Sequence, residues 1–201
     1  MLLVTSIMVV LFTIVAVNFN SDRIPREVKL NADEFLTNIR KMQSASLTGK
    51  NYSKTNKTPS YYGVKFDNST PTIYESFLVE SGTYSFESLG STTMRSGTIF
   101  DLSSVDLKNA DNTVVSSSGN CLGLLFELPF GRIYMFRITS CVTAVNGTNS
   151  DITNYITNYQ YPDNKITDAN RQLYFRLRSA TNTAIYKTID INGQTGNVAV
   201  K

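Results

Sequence analysis

Histidine and tryptophan are absent from this chain, cysteine occurs only twice, and charged residues make up 17% of the sequence. Without histidine, the commonest proton shuttle and metal-ligating side chain is missing. Two cysteines without a CxxC spacing make a poor zinc site. No glycine-rich loop of the phosphate- or dinucleotide-binding type occurs, and Ser118-Gly119-Asn120 is a turn signal only. Carboxylates are scattered: Glu75 with Glu80 or Glu87 would serve a membrane-tethered hydrolase only at a catalytic separation, and a solvated surface is the preferred reading of each. Asp163, Asn164 and Asp168, beside Tyr159-Gln160-Tyr161-Pro162, are a calcium candidate, but their spacing matches no EF-hand loop. These absences predict a non-enzymatic protein with no metal, no cofactor and no small-molecule substrate.

Charge is also missing locally. Met1 to Ser21 contains no Asp, Glu, Lys or Arg, and Leu2 to Phe19 reads LLVTSIMVVLFTIVAVNF. As a helix this run is roughly 27 Å long, slightly short of a ~30 Å hydrocarbon core. No basic stretch precedes Leu2, and Val15-Ala16-Val17 is a poor cleavage site, which argues against a removable signal peptide. The next stretch, Asp22 to Leu47, has Val28, Ala32, Phe35, Leu36, Ile39, Met42 and Ala45 at helical spacing on one face. Lys29, Asp33, Asn38, Arg40, Lys41 and Ser44 take the other, and Gly49 supplies a stop. Pro25, between the halves, either opens a second helix or kinks a continuous one.

The remaining residues predict one β-rich head, because short apolar-alternating runs are separated by Gly, Asn, Asp and Ser. The expected strands are Tyr62–Phe66, Ile73–Val79, Thr83–Phe86, Thr98–Leu102, Cys121–Leu128, Ile133–Cys141, Gln172–Arg178, Ala184–Ile191 and Asn197–Val200. The fold class is therefore α+β, with a long N-terminal helix packed on a mostly antiparallel sheet. Its divisions are an apolar helix at 1–21, an amphipathic continuation at 22–49 and a head at 50–201. With Phe130-Gly131-Arg132 as a hairpin loop, Leu128 faces Tyr134, Phe126 faces Phe136, Leu124 faces Ile138 and Cys121 faces Cys141. That register favours a Cys121–Cys141 disulfide and an oxidising setting over two separately buried thiols.

A net charge of +3 is modest. Lys50, Lys54 and Lys57 lie near Tyr52, Tyr61 and Tyr62, and Arg171, Arg176 and Arg178 lie near Tyr174 and Phe175. Such interleaving would grip DNA through phosphates and stacking, yet the wet face of a strand and a soluble loop are the preferred readings. The Asn-x-Ser/Thr sites at Asn51, Asn56, Asn68 and Asn146 matter only in a host that glycosylates them.

Leu2-Leu3-Val4-Thr5 with Ser6-Ile7-Met8-Val9-Val10, the Asn31 to Gly49 helix, and the ending Thr188-Ile189-Asp190-Ile191-Asn192-Gly193-Gln194-Thr195-Gly196-Asn197-Val198-Ala199-Val200 carry a resemblance. The chain resembles type IV pilins and the pseudopilins of type II secretion systems, especially the H-type minor pseudopilins and FimT-like minor pilins. It does so at both ends, and in the middle only in character. The family's cleavage glycine, the aromatic that becomes the methylated first residue and the assembly glutamate precede Leu-Leu-Val in that signature. They are not in this sequence, so processing and methylation carry over to no residue here, and a start further upstream is expected.

The resemblance implies a structural subunit, made as a single-pass inner-membrane protein with an extracytoplasmic head and moved into a pilus or pseudopilus. Its partners would be other pilin or pseudopilin subunits. Packing is expected through Leu2, Leu3, Ile7, Val10, Leu11 and Ile14. FimT-like pilins also capture DNA, a role that would fall on Lys50, Lys54, Lys57, Arg176 and Arg178. The alternative is a binding module, an adhesin or DNA receptor, tethered by the same helix.

Overall fold

The computed structural model describes residues 2–51, 58–81, 86–95, 97–108, 119–138, 172–193 and 195–201, with side chains described at all of these except 2, 3, 16–22, 136 and 138. It is α+β. Helical backbone, α1, carries Leu2–Thr48. Its two stretches with described side chains, 4–15 and 23–48, are taken separately below. Nine strands follow among the described residues: β1 Pro59–Asp67, β2 Ile73–Glu80, β3 Phe86–Thr93, β4 Thr98–Lys108, β5 Cys121–Glu127, β6 Ile133–Ile138, β7 Gln172–Ser179, β8 Tyr186–Asn192 and β9 Asn197–Val200. They form two antiparallel sheets rather than the expected one. The first has the order β3-β2-β1-β5-β6, the second β4-β7-β8-β9.

The amphipathic part of α1 is buried where its periodicity requires. Val28, Ala32, Phe35, Ile39, Met42 and Ala45 are all buried, and Leu36 is partly so. Steps of three and four along the chain keep these positions on one stripe, which touches strands of both sheets. The helix stops at Gly49, whose φ of 63° is open to glycine at little cost, and the Lys50 amide donates back to the Ala45 carbonyl at 3.1 Å. This 6→1 bond past a left-handed residue satisfies a carbonyl that the helix end would leave orphaned. Pro25 lies inside α1, two residues beyond Arg23.

Phe35 is the point where helix and sheets meet. Its ring centroid is 5.0 Å from Phe66 on β1, 5.3 Å from Tyr74 on β2 and 5.8 Å from Phe175 on β7. Phe66 stacks on Phe100 of β4 at 4.0 Å with the planes 8° apart, and Phe100 meets Phe175 at 4.8 Å. One aromatic cluster therefore spans the helix and both sheets. A polar clamp lies above it: buried Asn31 donates to Thr98 Oγ1 at 2.7 Å and accepts from the Arg95 amide at 2.8 Å. The closing β8–β9 hairpin is tied in by Gln43, whose side chain donates to the Gly196 carbonyl at 3.3 Å.

The β5–β6 hairpin does not take the expected register. Cys121 pairs with Ile138, Leu122 with Arg137, Gly123 with Phe136, Leu124 with Met135, Leu125 with Tyr134 and Phe126 with Ile133. The shift is three residues from the expected pairing, and an odd shift exchanges the faces of every partner. The cause is the connection. The Leu128 amide leaves the hairpin to bond Ser60 O at 2.9 Å, and the Glu127 amide reaches Arg132 O at 2.9 Å. The loop is thus longer than Phe130-Gly131-Arg132, and Cys121 is not opposite position 141. Cys121 is disulfide-bonded; the other cysteine of the sequence, Cys141, lies outside the described residues. So do most of the expected Thr83–Phe86 strand, the end of Ile133–Cys141, and Asp163, Asn164 and Asp168. β3, at Phe86–Thr93, shares Phe86 with the expected Thr83–Phe86 strand.

Tyr134, on β6, donates to Glu127 Oε2 at 2.9 Å. Burial first, and then this hydrogen bond and the carboxylate charge, push its phenol from 10 up to about 12 against a smaller opposing effect of Arg132. The folded value lies above the unfolded one, so the stability it contributes is fully present below pH 10. It is lost as pH rises through 12. Chemical denaturation followed between pH 9 and pH 12 should show this loss, and Tyr134→Phe should flatten that limb; an identical limb in both chains would show that the phenol carries none of it.

Candidate functional site

The apolar N-terminal stretch of α1 is exposed on every side of the helix. Val4, Ile7, Met8, Val9, Val10, Leu11, Phe12, Ile14 and Val15 are all at least half exposed, from 50% at Val15 to 78% at Phe12. None belongs to either hydrophobic cluster of the head. A continuous surface of this kind is costly in water, at roughly 1.5–3 kcal/mol per large side chain left unburied, and contiguous apolar patches mark interaction sites. Ile7, Val10, Leu11 and Ile14 share one stripe of it, as their spacing predicts. The side chains of Leu2 and Leu3 lie outside the described residues.

Among the described residues no helix is long and apolar enough to cross a membrane. The described stretch Val4–Val15 measures about 18 Å at 1.5 Å per residue, against ~30 Å of hydrocarbon.

Beyond this stretch the first described charges are paired along the helix. Arg23 Nε meets Glu27 Oε1 at 2.8 Å, and the carboxylate raises the already high Arg23 value. Arg95, at the β3–β4 connection, lies 3.9 Å from Glu34. Arg26 and Lys29 are exposed.

Among the described residues, the DNA-contact candidates fall on separate elements. Arg178 is held 3.3 Å from Asp101 and donates to the Ser179 carbonyl. Arg176 is exposed, but its guanidinium lies 4.4 Å from the Tyr186 ring centroid. Tyr174 has Lys108 at 5.6 Å and Lys201 at 6.0 Å from its ring centroid, and these lysines pair with Asp106 and Asp190. The face therefore balances its cations with nearby carboxylates and covers its rings with its own cations. Lys50 sits at the end of α1, on another element; Lys54, Lys57 and Arg171 lie outside the described residues.

The carboxylates behave similarly. Glu75 lies 3.0 Å from the buried Lys65 ammonium, across the β1–β2 pair. Glu80 is buried and Glu87 half-buried. Among the described residues no group of three or more Cys, Asp or Glu could hold a metal ion. A cleft of about 350 Å³ between α1 and the β2–β3 edge was announced by no sequence signal.

No family model, curated protein or solved structure matches the chain.

Proposed function

We propose that the chain is a filament subunit of the type IV pilin and pseudopilin kind, assembling through an N-terminal helix that passes from lipid into the core of a polymer. The observation that carries this reading is the exposed apolar stretch Val4–Val15, on the same helical element whose other stretch is sewn into both sheets. In this reading 1–49 is one rod. Apolar contacts with lipid are exchanged for apolar contacts with neighbouring copies, so the stretch stays away from water throughout. The disulfide at Cys121 supports a head on the extracytoplasmic side, where thiols are oxidised. The partners are further copies or related subunits, and the chain performs no chemistry.

Truncation separates the two roles of α1. A chain reduced to residues 22–201 should be monomeric by analytical ultracentrifugation without detergent and melt within about 2 °C of the full chain held in nanodiscs, because no residue of 4–15 packs on the head. The full chain released from lipid should form elongated assemblies in electron micrographs. A full chain that stays monomeric in plain buffer would sink the proposal.

A further inference from the structure

The cleft beside α1 is independent of the apolar stretch and of the filament reading. One wall is the helix, with Asn38 and Met42 one turn apart; the other is β2 and β3, with Ser76, Leu89, Ser91 and Thr92. It is opened by an irregularity in the strand pair. Ser76 faces Gly90, but Phe77 faces Ser88, so Leu89 is an extra residue without a partner of its own. Gly90 takes φ 134°, which favours glycine, and no atom lies within 4 Å of where its Cβ would stand. Bulges of this kind re-aim side chains and recur beside functional sites.

The lining is polar where it matters. Ser76 is only 7% exposed, and among the described residues its hydroxyl has no hydrogen-bond partner. The same holds for the side chains of Asn38, Ser91 and Thr92. Asn38 and Thr92 are half-buried and Ser91 is exposed, so these polar groups line a cleft open to water and offer a ligand both donors and acceptors. Hydroxyls and a carboxamide do both. Their natural complement is another set of hydroxyls, since an anion offers acceptors alone. Met42 and Leu89 add an apolar patch suited to the C–H face of a sugar ring. The volume of about 350 Å³ falls at the lower end of the ~300–1,000 Å³ range of small-molecule sites.

We propose that this cleft binds a pyranose, as a monosaccharide or the terminal unit of a glycan. Asn38 and Ser76 would hold ring hydroxyls, with Ser91 and Thr92 closing the outer side. Lys41 also lines the cleft.

The test uses the full chain in phosphatidylcholine nanodiscs, because an alkyl glycoside detergent would compete. Calorimetric titration with the methyl glycosides of glucose, galactose, mannose and glucuronic acid, and with lactose and cellobiose, should give saturable binding for at least one. Asn38→Ala and Ser76→Ala should each weaken it at least tenfold without moving the melting temperature. Should either variant melt low, Ser91→Trp, at an exposed position, fills the cleft instead and should abolish binding. No saturable binding of any of these probes, or binding unchanged in Ser91→Trp, would overturn the proposal.

Discussion

A Phe35→Ala chain should be the least stable of all single truncations along α1, losing about 3–5 kcal/mol. For a chain of this size each kcal/mol moves the midpoint by about 2–4 °C, so the melting temperature should fall by on the order of 10 °C. The reason is position as much as volume. Phe35 is fully buried and touches Phe66 and Tyr74 of one sheet and Phe175 of the other, so its removal leaves a cavity where the helix meets both sheets. The surrounding rings are themselves wedged against one another through the Phe66–Phe100 stack and cannot collapse freely into the space. Phe12→Ala is the matched control. It removes the same atoms from the other described helical stretch, at a site 78% exposed, and it should leave the head's melting unchanged. Circular dichroism of both variants in nanodiscs decides the matter: a Phe35→Ala midpoint within 2 °C of the parent would show that this cluster does not hold the helix to the sheets.

The contrast between these two phenylalanines also shows what was legible in the sequence. Amphipathic spacing identified the buried face of 23–48 residue by residue, because burial there follows the 3.6-residue period with no competing demand. Gly49 was legible as a stop for the same kind of local reason. Strand positions for β1, β2, β4, β5, β7, β8 and β9 were legible from alternation and turn residues, although β4 runs on to Lys108. What escaped depends on contacts distant in sequence or on small backbone choices. The Leu128–Ser60 hydrogen bond takes the chain out of the β5–β6 hairpin, and it has no signature that alternation can carry. The split into two sheets rests on which strands pair across long loops. β3 was missed because Glu87, Ser88, Gly90, Ser91, Thr92 and Thr93 make an edge strand with almost no apolar face.

Asn31 shows the same limit in a single side chain. It reads as one more polar helix residue, yet its carboxamide is buried and bridges Thr98 and the Arg95 amide, partners more than sixty positions away. The cleft beside α1 escaped for a related reason: several of its members are small polar residues, individually unremarkable, that sit beside the Leu89 bulge. Tyr74 is the opposite case, a hydroxyl buried in the aromatic cluster with no hydrogen-bond partner among the described residues. We have no physical account of why the chain keeps it.

Val10→Asp should abolish assembly while leaving the head intact. Val10 lies within the exposed stretch, is 55% exposed and packs on neither core cluster, so a carboxylate there has nothing in the head to disturb. In the proposed polymer it has much to disturb. A charged side chain at the centre of a membrane helix costs about 2.5–3.5 kcal/mol, and an unpaired carboxylate between apolar helices is too short to reach water from there. The cost recurs at every copy, so even a modest penalty per subunit removes a long assembly, as each 1.4 kcal/mol weakens a single contact tenfold. Val10→Leu keeps the apolar surface and should assemble normally. Filament yield by sedimentation and electron microscopy, with head melting by circular dichroism, reads the two effects separately. Normal filaments from the Val10→Asp chain would refute the assignment of this stripe to subunit packing. A lowered head midpoint would show instead that the stretch contributes to the fold.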